Sequence, residues 1–324
     1  MSGEAELFSL LKGVSRSFYL SLRFLPKRIR TAIALAYLLA RTSDTIADTN
    51  QLPPGDRIEF LQRFLRSIST GDLRDPLDLG ACLVAQAEGP EKVLVARTNA
   101  VLPWLAKIPP AHRELVVEVL TKIVRGQTLD IERFESKPGI TGLADDSALD
   151  EYTYLVAGCV GEFWTKICLL EWPDYARLPP KEMLSLGKDF GQGLQLINIL
   201  RDFPLDLQAG RSYLPVSNPE GIVLMPVVRP EWERWRQRAF GYLEEAWKYV
   251  TAVRPWRVRF ACAVPVFIGV RTLILLGDAP ENHPGIKVSR KEVRRLMAWA
   301  AGVALLRFLE PATHLKVFRR EIKG

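Results

Sequence analysis

At 324 residues, 48% hydrophobic and 25% charged, with a mean hydropathy of +0.03, the chain has the profile of a folded protein with a sizeable core, which excludes disordered, collagen-like and small disulfide-stapled classes. Its 44 Lys and Arg against 37 Asp and Glu leave a net charge of +7, a modest excess that suits an anionic small molecule, a nucleic acid or a lipid surface alike. With three histidines (His112, His283, His314) and no Glu-x-x-His or His-x-x-x-His spacing, neither a histidine zinc site nor a ferritin-like di-iron site can be assembled, so any metal must sit on carboxylates.

The N-terminus, Met1-Ser-Gly-Glu-Ala-Glu6, is acidic where a signal peptide would be basic, and no export is expected. Apolar residues at three- and four-residue spacing then predict helices over Thr31–Ala47, Arg57–Ile68, Arg113–Arg125, Tyr152–Leu170, Pro180–Leu200, Trp232–Val253, Arg259–Leu276 and Arg290–Leu309. Pro/Gly stops separate them at 51–56, 108–110, 137–139, 281–285 and 310–311. Almost no strand signal and no long linker interrupt the series, so one all-α domain over 1–324 is expected. Cys82, Cys159, Cys168 and Cys262 stand singly in apolar stretches and read as reduced core thiols, which points to a cytoplasmic location. The greasiest segment, Phe260–Leu276, contains Pro265 and Arg271 and falls short of the roughly 20 apolar residues that span a bilayer. From Lys287 to Gly324 there are ten Lys/Arg against three Glu, a solvated basic tail or a peripheral contact for anionic lipid.

Polar groups interrupt two of the apolar helices in a regular way. Tyr37, Arg41, Asp44 and Asp48 fall at i, i+4, i+7 and i+11, a single stripe on one helix face. Tyr37 and Arg41 are embedded among Ala, Ile and Leu, whereas a solvent-facing stripe shows more Lys and Glu. Gln195, Asn198, Asp202 and Asp206 form a second stripe at i, i+3, i+7 and i+11. If the stripes face each other, four carboxylates share one cavity, and buried carboxylates either shift their pKa or bind cations. Mg²⁺ is the fitting ion, because it takes one or two carboxylates and shares its remaining positions with waters and substrate phosphates.

Four motifs in order, Ser15-Arg-Ser-Phe18, Tyr37-x-x-x-Arg41-x-x-Asp44-x-x-x-Asp48, Tyr154-x-Val-Ala-Gly158-x-x-Gly161 and Gln195-x-x-Asn198-Ile-x-Arg201-Asp202-x-x-x-Asp206-x-x-x-Gly210-Arg211-x-Tyr-x-Pro215, resemble those of the squalene/phytoene synthases. The likeness covers about Leu10 to Leu306. It implies a single helical bundle of the isoprenoid synthase type, with a central cavity in which two prenyl diphosphates are joined head to head. It further implies that Asp44, Asp48, Asp202 and Asp206 hold Mg²⁺ against the diphosphates, that Arg16, Arg41, Arg201 and Arg211 grip phosphate oxygens, and that Gln195 and Asn198 complete the second site. Tyr37 and Tyr154 match cavity tyrosines that stabilise carbocations or move a proton, and Arg41 belongs to the same catalytic set. For Tyr154 an ordinary core phenol, and for Gly158 and Gly161 simple close packing, are the competing readings.

Pro204 departs from the family pattern: it removes a helical N–H between Asp202 and Asp206, so a kink or stop is expected there and Asp202 is expected to be the firmer ligand. Asp48 is followed by Thr49, where many relatives carry another acid. No Gly-x-Gly-x-x-Gly follows a strand, so no Rossmann site marks a nicotinamide cofactor. The Pro265 helix and the loop Gly285-Ile-Lys287-Val-Ser-Arg290 resemble squalene synthases more than phytoene synthases, which implies NADPH held by Lys287 and Arg290; the plain alternative is two cations opening a surface helix. The expected reaction is therefore conversion of two farnesyl diphosphates to squalene, with dehydrosqualene or phytoene synthesis as the alternative. A non-catalytic relative is disfavoured because none of the aspartates or arginines is lost, and nucleic-acid binding because the arginines lie in apolar helices without a reader motif.

Overall fold

The structure, a computed structural model, describes residues 3–15, 19, 22–71, 76–134, 139–215, 225–277 and 286–305. Their contacts divide the chain into two compact units, Met1–Ser136 with Lys166–Glu171, and Lys137–Thr165 with Trp172–Gly324.

The first unit is built from helices α1 (Gly3–Val14), α2 (Lys27–Ala47), α3 (Pro54–Thr70), α4 (Gly80–Ala85), α5 (Pro90–Ala96), α6 (Thr98–Val101) and α7 (Pro110–Phe134), with a 3₁₀ segment at Leu102–Lys107. Prolines set several starts: Pro54 and Pro90 occupy first-turn positions, where a missing N–H is no loss. Gly71, at φ 65°, closes α3 in the left-handed conformation that a side chain would resist. At the centre lies α2, packed against α1, α3, α5 and α7. Ile29, Leu35, Leu38 and Leu39 on it are wholly buried. That burial on every side but the one carrying Tyr37, Arg41 and Asp44 is why Ala, Ile and Leu crowd its sequence.

The second unit contains α8 (Asp146–Thr153), a single π-helical turn (Tyr154–Gly158), the start of α9 (Cys159–Glu171), then α10 (Pro180–Gln208), α11 (Met225–Ala252), α12 (Trp256–Gly277) and α13 (Arg290–Leu305). Two short strands, β1 (Thr141–Gly142) and β2 (Arg211–Ser212), pair in parallel with Thr141 opposite Arg211. The all-α expectation holds. The single helix predicted over Tyr152–Leu170 is instead interrupted by the π turn, a feature that often marks functional sites.

Glycines bring α9 and the π turn unusually close to α10. A Cβ on Gly161 would lie 1.8 Å from the carbonyl oxygen of Gly187, and one on Gly191 would lie 2.1 Å from that of Ala157. The packing reading of Gly158 and Gly161 is the one the geometry supports: on Gly158 a Cβ would meet Gln192 at 3.0 Å and Tyr154 at 3.1 Å.

Pro204 does not break α10, which continues to Gln208. Its missing N–H leaves the carbonyl of Leu200 without its helical donor, and the buried indole Nε1 of Trp232 on α11 donates to that oxygen at 3.3 Å. The stop allowed by the sequence therefore does not occur, and the freed carbonyl takes a donor from a neighbouring helix.

The greasy segment forms α12, five residues longer than the sequence reading drew it, and long and apolar enough to cross a bilayer by length and composition, as is the stretch Asp146–Glu171. Fifteen of the residues of α12 are buried against neighbouring protein, as befits a core helix. All four cysteines are buried and stand as thiols outside any disulfide. Burial pushes the thiol of Cys82 up to about 11 and that of Cys262 to about 12, so both stay protonated and inert.

Candidate functional site

In the first unit, Tyr37, Arg41 and Asp44 lie along one face of α2, and Asp48 is the residue that closes it, its N–H donating to the Asp44 carbonyl at 2.9 Å. Arg41 donates to Asp44 through one Nη and to Glu91 Oε1 through the other, the latter at 3.1 Å. Burial alone would lower the guanidinium's pKa, but the two carboxylates outweigh it and hold it raised. The Asp44 side chain keeps 42% of its surface accessible, yet the protein packed round it holds bulk water back enough to raise its carboxyl above the ordinary aspartate range against the pull of Arg41. Asp48 is exposed. Glu91 was not among the expected residues; its one local sign is its place in the first turn of α5 behind Pro90, and its partner lies fifty positions away.

In the second unit, α10 carries the other stripe. Arg201 clamps Asp202 in a fork, Nε to Oδ1 at 2.8 Å and Nη2 to Oδ2 at 2.5 Å, and that bond holds the guanidinium's pKa raised. Past Asp206 the chain turns at Gly210, whose φ of 79° lets β2 double back so that Arg211 Nε donates to Asp206 Oδ1 at 2.9 Å. Asp206 is buried, which raises its carboxyl; Arg211 opposes the rise and the charge of Asp202 adds to it. Asp206 is the more enclosed of the pair, its side chain 11% exposed against 37% for Asp202. The guanidinium of Arg211 also lies 5.7 Å from the ring centre of Tyr213, which stacks on Tyr152 at 4.7 Å. Gln195 is half-buried, and exposed Asn198 donates to its Oε1 at a long 3.5 Å.

Tyr154 opens the π turn, and its hydroxyl donates to Glu162 Oε2 at 3.1 Å. Glu162 was also not anticipated, although a lone carboxylate between Gly161 and Phe163 in an apolar run was visible. Below the turn, Gln192 Nε2 donates to the Asp150 carbonyl and to Thr153 Oγ1, both at 3.1 Å. The end of α8, directly before the turn, is thereby pinned to α10.

Lys287 and Arg290 are exposed at the opening of α13. That helix is started by a capping box in which Ser289 Oγ accepts from the Glu292 N–H while Glu292 Oε2 accepts from the Ser289 N–H, each at 3.2 Å. Arg16 and residues 306–324 of the basic tail lie outside the described residues.

Three candidate metal ligands, Asp44, Asp202 and Asp206, are thus each partnered by a candidate phosphate-gripping arginine, Arg41 on the same stripe, Arg201 next in sequence and Arg211 on β2. Among the described residues no three His, Cys, Asp or Glu side chains converge into a ready-made metal cage. Hard carboxylate oxygens in ones and twos fit Mg²⁺ that completes its shell with waters and phosphates, and do not fit a metal held by protein alone.

The model of the squalene/phytoene synthase family matches residues 11–299. Over 302 residues the chain is 25% identical to squalene synthase of Eremothecium gossypii, covering 89% of this chain and 66% of that protein. It is 28% identical over 272 residues to the bifunctional lycopene cyclase/phytoene synthase of Podospora anserina, covering 79% and 43% respectively. The chain therefore spans less than two thirds of the length of either relative. Among solved structures, TcSQS with the ligand E5700 shares the fold at a TM-score of 0.79 and 18% identity, covering 98% of this chain and 90% of that one.

Proposed function

The chain belongs to the squalene/phytoene synthase family, and on that premise we propose that it is a prenyltransferase that joins two farnesyl diphosphates head to head, through a cyclopropyl diphosphate, to squalene. The observation that carries this reading is the pairing of Asp44, Asp202 and Asp206, on two helical stripes, with Arg41, Arg201 and Arg211. We read 1–324 as one catalytic domain, cytoplasmic and working on greasy substrates.

The arginines bind and orient the diphosphates, since a guanidinium fork matches two phosphate oxygens as it matches a carboxylate. Mg²⁺ bound by Asp44, Asp48, Asp202 and Asp206 would neutralise the charge that builds on the leaving diphosphate. The diphosphate leaves with the bonding pair, and the allylic cation is captured by the double bond of the second substrate while the apolar helix faces keep water away. The rings of Tyr37 and Tyr154 stabilise the cation. Closing the cyclopropane releases a proton, which Tyr154 Oη accepts as its own hydrogen passes along the 3.1 Å bond to Glu162 Oε2. Gln195 and Asn198 complete the diphosphate contacts on α10. A second ionisation gives a rearranged cation, for which NADPH when bound would supply hydride. Lys287 and Arg290 fit that cofactor's phosphates, being two exposed cations at a helix start. Without reduction, loss of a proton ends the sequence at dehydrosqualene, a second reading favoured by the similarity to a phytoene synthase.

The test is incubation with farnesyl diphosphate and Mg²⁺, with and without NADPH, and analysis of the hydrocarbon. Squalene only with NADPH supports the reading. The same unreduced hydrocarbon in both would replace it with the dehydrosqualene or phytoene reading.

A further inference from the structure

The start of α12 and one side of α13 carry side chains that the proposed chemistry leaves unused. On α13, Leu296, Ala300 and Ala304 are buried, whereas Lys291, Arg294, Arg295, Ala298 and Trp299 are exposed. At about 100° per residue the exposed set, together with Leu305, falls within roughly 80° either side of Lys291, so it forms one continuous face. The cations occupy its first half, and Ala298, Trp299 and Leu305 its second. Glu292, the only acid between 286 and 305, is engaged by Arg271 Nε at 3.0 Å and by Ser289.

Arg259 Nη1, near the start of α12, donates to the carbonyl of Ala304 at 3.2 Å, while Arg271 near its end meets Glu292. The two helices therefore run antiparallel. This brings Trp256, 46% exposed, to the same end as Trp299 at 52% and Leu305 at 63%.

Single exposed apolar residues need no explanation, but two indoles and a leucine gathered at one end of a helix whose preceding turns present three cations have the make-up of an interfacial surface. We propose that this surface docks the protein on a bilayer containing anionic lipid, with Trp256, Trp299 and Leu305 entering the headgroup region and Lys291, Arg294 and Arg295 meeting lipid phosphates. Charge selects this occupant. Lys291, Arg294 and Arg295 are three cations with no acid on the exposed face, which matches the phosphates of an anionic leaflet, whereas a second copy brings the same net positive charge. The inference goes beyond the proposed reaction and does not depend on it.

The test is flotation of the full chain with vesicles of phosphatidylcholine alone and of phosphatidylcholine with about 30% phosphatidylserine, at about 50 and about 500 mM salt. Binding to the anionic vesicles and release by salt are expected. A basic residue near an anionic leaflet strengthens binding roughly fivefold, so Arg294→Glu with Arg295→Glu should weaken it at least about 25-fold. Trp256→Ser with Trp299→Ser should weaken it several-fold and abolish quenching by brominated lipid. Hydrocarbon formation from detergent-dispersed substrate, measured for each variant beside the parent, separates failure of docking from failure of the proposed reaction. No binding to anionic vesicles would overturn the proposal. So would binding by both double variants within twofold of the parent, or self-association that the tryptophan variant abolishes.

Discussion

Replacing Gly161 by Ala adds one methyl group at the place where α9 meets α10. Its Cβ would stand 1.8 Å from the carbonyl oxygen of Gly187 and 2.5 Å from the carbonyl carbon. Ordinary contact needs about 3.5 Å, so the two backbones must part by roughly 1.5 Å, and neither is a flexible side chain that can swing aside. Overpacking typically costs about 1–3 kcal/mol, and contact between two backbones belongs at or above the top of that range. The methyl also returns up to about 1 kcal/mol of helix propensity. A net loss of about 2–3 kcal/mol is expected, a fall in Tm of roughly 5–10 °C for a unit of this size. Gly241→Ala is the matched control: it lies within α11, and a Cβ there meets nothing within 4 Å. That variant should be more stable than the parent by about 0.5–1 kcal/mol. Urea and thermal unfolding of both variants read the two signs. Gly161→Ala unfolding within about 0.5 kcal/mol of the parent would refute the close-approach argument, and with it the account of how the π turn is held on α10.

The indole of Trp232 should matter because Pro204 removes a donor: Trp232→Phe should lose about 1–2 kcal/mol in urea unfolding, and less once Pro204→Ala restores the N–H, with a coupling of about 1 kcal/mol in the double-mutant cycle. Arg211→Met removes the partner that holds Asp206 down, so the buried carboxyl should rise further. An acid raised in the folded state is tolerated while protonated and opposes folding once ionised, so the variant's deficit should be small near pH 4 and grow to about 1–2 kcal/mol by pH 7.5; unfolding in chelator across that range checks it, and a deficit independent of pH would count against it. Asp206→Asn should impair turnover as severely as Asp202→Asn, because α10 carries both past Pro204; steady-state rates at saturating Mg²⁺ compare them. Lys287→Ala with Arg290→Ala should raise the KM for NADPH and leave formation of the cyclopropyl diphosphate unchanged.

The two polar stripes were legible because side chains at i, i+4 and i+7 must share a helix face, and arginines among Ala, Ile and Leu are conspicuous. What lay at long sequence separation was not. Nothing local ties Glu91 to Arg41 or Trp232 to Leu200, and each partner is found only when helices pack. Local rules also misread Pro204, since the rule that proline ends a helix assumes that the freed carbonyl finds no other donor. The interruption at Tyr154 is one extra residue per turn, too small a change to disturb apolar periodicity over Tyr152–Leu170. The short helices Gly80–Ala85 and Thr98–Val101 are under two turns and leave no periodic signal to read.

The central claim, that two aspartate-bearing stripes and their arginine partners perform a Mg²⁺-dependent condensation, is tested most directly by measuring hydrocarbon and diphosphate release from farnesyl diphosphate by the parent, Asp44→Asn and Asp202→Asn at saturating Mg²⁺. The account predicts product from the parent only when Mg²⁺ is present, and a loss of at least about 10³-fold in each variant with folding intact, a barrier increase of about 4 kcal/mol. Turnover by both variants within about tenfold of the parent, no more than about 1.4 kcal/mol, would contradict it.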